Sequence, residues 1–138
     1  MDGAGRERPH VVLVDDDEAN LSTLTEALEL EGIEVVGTAT DGVGGIALVD
    51  DRRPDVVLMD LRMPGMDGFA ATAAIRQAHP DTQVVILTAY EELLTDSAED
   101  VGAFAYLVKG CSPELMRQVV EQAWRRAIEV RRRAGEGL

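Results

Sequence analysis

The stretch DVVLMDLRMPGMDG, residues 55–68, sets four apolar residues in a row before an acid, Asp60, and follows it with a loop built on Pro64, Gly65 and Gly68. An apolar run without polar alternation is the pattern of a strand covered on both faces. Similar runs recur at HVVLVD (10–15), EVVGTAT (34–40), TQVVILT (82–88) and AFAYLVK (103–109). Between them the spacing turns helical. Leu21, Leu24 and Leu28 step by three and four within a helix predicted over 17–31, and further helices are predicted over 42–52, 67–79 and 91–101. A last helix opens at Ser112-Pro113, a cap and first-turn pair, and carries a stripe of Met116, Val119, Val120, Ala123 and Ala127. Strand and helix thus alternate five times. Short links between them force parallel strands with helices on both faces. The fold predicted is a doubly wound, flavodoxin-like α/β domain.

At 138 residues the chain makes one domain with a real hydrophobic core. Its net charge of -13 argues against direct contact with DNA, RNA or an anionic membrane and suits a metal cation or a basic partner. The single cysteine, Cys111, excludes an internal disulfide and a cysteine cage for a metal, which fits a reducing cytoplasm. No apolar run is long enough to span a membrane, and MDGAGRERPH has no signal-peptide core. Residues 1–9 read as a disordered lead-in, 10–127 as the folded domain, and the basic 128–138 as a helical extension or linker.

In an open α/β sheet, ligands bind beyond the C-terminal ends of the strands. Those ends carry Asp15, Asp16 and Asp17, then Asp60, Thr88 and Lys109. Clustered carboxylates repel and raise one another's pKa values, and a hard divalent cation removes that repulsion. Asp16, Asp60 and a backbone carbonyl of the following loop make a fitting partial set for Mg²⁺. Cation, lysine and hydroxyl around one carboxylate also make a site for phosphoryl transfer. Asp60 is then the nucleophile, forming an acyl phosphate, with Thr88 and Lys109 on the phosphate oxygens.

Taken singly, each of these residues has an ordinary explanation. A strand-ending acid usually caps a helix, as Asp17 is expected to do for the first one. Thr88 alone is a strand former and Lys109 alone a solvated cation. Their convergence on one rim outweighs those readings. Other motifs are weaker. DGVGG (41–45) lacks the full glycine-loop pattern. His10 and His79 have no metal-ligand spacing, no serine sits in a G-x-S-x-G context, and Trp124 is expected to pack.

The motifs LVDDD (13–17), PDVVLMDLRMPGMDG (54–68), VVILTAY (84–90) and AYLVKG (105–110), in this order, resemble the receiver domain of bacterial two-component response regulators, over about residues 10–127. The resemblance implies a five-stranded sheet in the order 2-1-3-4-5. It implies that Asp60 is the phosphoacceptor and that Asp15 and Asp16 position Mg²⁺ (or Mn²⁺), with the Arg62 carbonyl completing the protein ligands. It makes Thr88 and Tyr106 a switch pair and Lys109 the phosphate-contacting lysine. The implied donor is a sensor histidine kinase. The implied readout surface is the fourth predicted helix, the fifth strand and the fifth helix, a surface often used for homodimers. Gly110 stands where many members have proline, and AYLVKGCSPEL is similar to the NarL-like subgroup, whose usual output is a DNA-binding domain. Gly44 and Gly45 fall inside the second helix at about 1 kcal/mol each against alanine, which predicts a mobile helix. Arg62 and Tyr90 flank the site and predict a long-lived phosphoprotein.

Other functions remain open at this point. A stand-alone receiver would act only through protein partners. A dehalogenase-like phosphatase would use Asp15 and Asp17 as a D-x-D pair, and would turn over phosphate esters as an enzyme. A nucleotide- or flavin-binding domain fits the acidic rim poorly, and a receiver that no longer takes phosphate fits the intact Asp60, Thr88 and Lys109 poorly.

Overall fold

The computed structural model describes residues 7–89 and 101–136. Five strands, β1 (His10–Val14), β2 (Glu34–Ala39), β3 (Val56–Asp60), β4 (Gln83–Thr88) and β5 (Ala105–Val108), form one parallel sheet in the order β2-β1-β3-β4-β5. Four helices are described: α1 (Glu18–Leu30), α2 (Gly42–Arg52), α3 (Gly68–Ala78) and α4 (Pro113–Glu136). The helix predicted over 91–101 lies outside the described residues, so α4 is the last predicted helix.

The strands behave as their composition demands. β3 and β4 are buried at every position, with helices over both faces. Alternate side chains split into two layers. Val11, Leu13, Leu58 and Val85 pack with Leu21 and Leu28 of α1 and with Met116 and Val120 of α4. Val12, Val14, Met59 and Ile86 pack with Val49 of α2 and Ile75 of α3. Full burial of side chains such as Met116 and Val120 stabilises by about 1.5–3 kcal/mol each. Trp124 packs against the first layer, as expected.

Aspartates start three helices. Asp17 accepts from the Ala19 N–H at 2.9 Å, Asp41 from Gly44 at 2.7 Å and Asp67 from Ala70 at 2.9 Å. Ser112 Oγ accepts from the Leu115 N–H at 3.1 Å, so α4 starts where the Ser-Pro pair predicts. The observed strands are shorter than the apolar runs by a residue or two at their ends. The last run, expected over 103–109, pairs only over Ala105–Val108. Gly110 adopts a φ of 92°, a turn that proline cannot enter, so the glycine is what this strand exit requires.

Gly44 and Gly45 differ from a simple helix-weakening pair. A Cβ on Gly45 would stand 2.8 Å from Cγ2 of Val14 in β1. The glycine lets α2 lie against the strand that delivers Asp15.

The basic end of the chain is helical through Glu136, and Arg131 turns back onto the domain. Its guanidinium donates to Asp55, to Asp81 Oδ2 at 2.7 Å and to the Pro54 carbonyl at 3.3 Å. Asp55 is fully buried, and its other oxygen accepts from the His10 N–H at 2.8 Å. One buried carboxylate therefore joins the start of β1, the start of β3 and the far end of α4. Of the histidines, His79 at the end of α3 meets Asp50 of α2 at 2.7 Å, and His10 lies 3.3 Å from Glu34, both structural contacts. No helix among the described residues is long and apolar enough to cross a membrane.

Candidate functional site

β1 and β3 are neighbours, and each releases an acid at its C-terminal end. Asp15 follows β1 and is buried; its N–H donates to the Ala39 carbonyl at 3.0 Å, and its Oδ1 accepts from the Asp17 N–H at 2.9 Å. Asp16 is exposed beside it. Asp60 ends β3 and is only 2% exposed. One carboxylate oxygen from each of Asp15, Asp16 and Asp60 can lie within 4.8 Å of the others. Asp17, the third acid of the run, is turned away to cap α1.

Lys109 follows β5 and reaches across β4: its Nζ lies 2.9 Å from Asp60 Oδ1. Burial works against the lysine's charge, but the hydrogen bond to Asp60 and the charges of Asp60, Asp15 and Asp16 raise its pKa above the usual value. The Asp15 carboxyl is also raised, first by burial and then by the neighbouring charge of Asp60, against the lowering effect of the Asp17 N–H. Asp60 Oδ2 is buried and has no hydrogen-bond partner among the described residues. An orphaned carboxylate oxygen inside a group of acids is costly unless something positive shares the space. The donors are all hard oxygens, a set that fits a hard divalent cation and no thiolate or imidazole site.

Thr88 ends β4 and is buried. The register pairs Asp60 with Leu87, so Thr88 stands one residue further toward the rim. Its hydroxyl donates to the Ala89 carbonyl at 3.3 Å, a long bond, and its own carbonyl accepts from the Lys109 N–H at 2.8 Å. Tyr106 sits in β5 opposite Ile86, half-buried, two positions before the pair of Thr88 with Val108. Arg62 lies with an exposed side chain in the loop after β3, two residues past Asp60. Tyr90 lies outside the described residues.

The loop from Leu61 to Asp67 is held by a residue whose role sequence reading missed. The Gly68 N–H donates to the Leu61 carbonyl at 2.9 Å. A Cβ on Gly68 would stand 2.4 Å from the Asp60 carbonyl oxygen and 2.8 Å from Leu61 Cα. Only glycine lets α3 begin against the back of the Asp60 peptide. The signal was the glycine closing GMDG, legible as a turn residue but not as a close approach.

The profile of the response regulator receiver domain family matches residues 11–121. Response regulator GacA of Pseudomonas aeruginosa is 37% identical over 116 residues, covering 83% of this chain and 54% of that protein. Transcriptional regulatory protein PdtaR of Mycobacterium tuberculosis is 38% identical over 130 residues, covering 93% of this chain and 63% of that protein. The chain thus spans about half to two thirds of the length of these curated relatives. Among solved structures, the signal receiver domain of NarL from Mycobacterium tuberculosis superposes with a TM-score of 0.80 at 34% identity, covering 87% of this chain and 98% of that one. With this sheet order, and with its acids and lysine at one rim, the chain belongs to the receiver domain family of two-component response regulators.

Proposed function

We propose that Asp60 accepts a phosphoryl group from the phosphohistidine of a sensor histidine kinase and that the modified domain acts on an output domain or partner. One observation carries this reading. Asp60 is buried with one oxygen held by Lys109 and the other unpartnered among the described residues, beside two further carboxylates.

In the transfer, an Asp60 oxygen forms a bond to phosphorus as the phosphorus–nitrogen bond of the phosphohistidine breaks, and the electron pair leaves with the imidazole nitrogen. Oδ2 has its lone pairs free for this, while Lys109 fixes the carboxylate through Oδ1. The Lys109 ammonium then stands beside the new phosphate. The Thr88 hydroxyl exchanges its long bond to Ala89 for a phosphate oxygen. Tyr106 on the edge strand follows Thr88 inward, and the two make the switch. Asp15, Asp16, Asp60 and the Arg62 carbonyl are the groups to hold Mg²⁺, with Mn²⁺ suited to the same donors. When bound, the cation neutralises the carboxylates and the oxygens of the moving phosphoryl group.

The acyl phosphate carries about two negative charges where the carboxylate carried one, and that added charge biases a two-state equilibrium rather than building a new fold. The readout surface on this reading is β5, α4 and the segment before β5, with homodimer formation as one mode; the part of it before residue 101 lies outside the described residues. Residues 10–127 form the receiver, and 128–138 lead toward an output that the name of one relative, a transcriptional regulatory protein, supports as transcriptional. The net charge of -13 leaves any nucleic-acid contact to that output. The domain acts in the cytoplasm and assists its own phosphorylation and dephosphorylation without turning over a free substrate.

The test is intact mass after treatment with acetyl phosphate and Mg²⁺, for wild type and Asp60→Asn. A gain of one phosphoryl group by wild type alone is expected. No gain by wild type, or an equal gain by Asp60→Asn, overturns the assignment.

A further inference from the structure

β2 is an edge strand, paired with β1 on one side only. An open edge offers unpaired main-chain donors and acceptors to another strand, and proteins commonly block it. Here the two halves of the edge differ. In the first half, Glu29 accepts from the Val35 N–H at 3.4 Å and Arg52 donates to the Val36 carbonyl at 2.7 Å. The register with β1 also shifts there, a bulge that further spoils pairing. In the second half the Ala39 carbonyl accepts from the Asp15 N–H, so Ala39 faces β1. Backbone alternation then turns Thr38 and Thr40 outward. Both are exposed, and among the described residues no side chain covers them as Glu29 and Arg52 cover the first half.

This open half faces a groove of about 1050 Å³ between α1 and α2. Its walls carry Glu18, Glu26, Glu29 and Asp41, and among the described residues no lysine or arginine lines it. None of Asp15, Asp16 and Asp60 lines it either, so it is separate from the rim cluster.

We propose that this groove docks an extended, arginine- or lysine-rich segment of a partner protein, which adds to the sheet as a further strand beside Thr38–Thr40. Main-chain hydrogen bonds come from the strand edge, and every second side chain of the incoming segment points to the acidic walls. Charge decides the occupant. A second copy presenting the same edge would set Glu18, Glu26, Glu29 and Asp41 against their equivalents, which costs affinity. Phosphate-bearing ligands are repelled for the same reason. The proposal does not depend on phosphorylation of Asp60.

The experiment is an amide-shift titration of the ¹⁵N-labelled chain with an acetylated Arg-Val-Lys-Val-Arg-Val amide, in saturating Mg²⁺ so that the rim carboxylates do not compete. Shifts centred on Thr38–Thr40, Glu26 and Asp41 are expected, with an affinity that falls as salt rises. Thr38→Pro removes only an outward N–H and should weaken binding about tenfold. Glu26→Lys should weaken it comparably without touching the main chain, which keeps the test decisive should the proline variant fail to fold. Shifts centred elsewhere, equal binding of an acidic Glu-Val repeat, or unchanged affinity in Glu26→Lys would each overturn the proposal. So would self-association through β2 in the absence of peptide, which would assign the edge to a second copy.

Discussion

Lys109 Nζ lies 2.9 Å from Asp60 Oδ1, although β4 stands between the strands that carry them. The acid is 2% exposed and the lysine 40%, so a solvent-side cation compensates a buried carboxylate. Lys109→Met leaves Asp60 beside Asp15 and Asp16 with that charge uncompensated. A loss of about 1–2 kcal/mol is expected, discounted for the exposure of the lysine. On the proposed function Mg²⁺ should recover part of it, because the cation would be held by the same carboxylates. Urea unfolding with and without MgCl₂ measures this; a deficit indifferent to Mg²⁺ would separate the lysine from the cation site.

Gly68 meets backbone, not movable side chain. In Gly68→Ala the new methyl must displace the Asp60 carbonyl or α3 itself. A cost of about 3 kcal/mol is expected, near the upper end for overpacking, together with a lower yield of phosphorylation than stability alone explains. Denaturant unfolding, and phosphorylation under conditions where the variant stays folded, check the two parts. A variant of wild-type stability would show that the loop after Asp60 yields easily.

The Arg131 clamp predicts a pH dependence. Burial works against the charge of Asp81, but the hydrogen bond and charge of Arg131 outweigh it and hold the Asp81 carboxyl below its ordinary 3.8. A lowered carboxylate contributes stability above that ordinary value and loses it as pH falls through the folded one. Asp81→Asn should therefore be less stable than wild type at neutral pH, and the gap should close below pH 3.8. Arg131→Leu should cost more, about 3 kcal/mol, because it strips a charge partner from fully buried Asp55. Unfolding curves across pH measure both; a gap that widens in acid would reverse the assigned sign.

Gly45→Ala tests helix propensity against packing. Alanine favours the helix by about 1 kcal/mol, but its methyl would stand 2.8 Å from Val14. Net destabilisation of about 1 kcal/mol is expected, since overpacking costs 1–3 kcal/mol in tight sites, roughly. Gly44→Ala would meet the capping Asp41 Oδ1 at 3.1 Å and Ala39 Cβ at 3.3 Å, contacts that ask for shifts of only a few tenths of an ångström, so it should cost less than Gly45→Ala. Thermal melts of the two variants give the comparison; matching shifts would mean that α2 does not depend on the close approach to β1.

The strands were legible because burial on both faces writes itself as continuous Val, Ile and Leu, as in Val56–Met59. The rim was legible because the apolar runs break off in polar residues at the strand ends, Asp15 to Asp17, Asp60, Thr88 and Lys109, and the topology must bring those ends together. Strand limits were less legible, since pairing stops where hydrogen bonds do and not where apolar residues do: Ala103 and Phe104 are half-buried beyond β5. Arg131 could not be foreseen. Its partners lie 50 and 76 residues away, and a basic, aperiodic tail carries no sign of which guanidinium turns inward. Gly45 and Gly68 were visible as glycines, but close approach of backbones leaves no mark in a single sequence.

Chemical localisation of the phosphoryl group tests the central claim most directly. Borohydride reduces an acyl phosphate to the alcohol, so phosphorylated aspartate becomes homoserine, and peptide mass spectrometry finds its position. Homoserine at residue 60, dependent on Mg²⁺ and diminished in Lys109→Met, is the predicted result. Homoserine at Asp15 or Asp16, or none in a chain shown to be folded and Mg²⁺-bound, would contradict it.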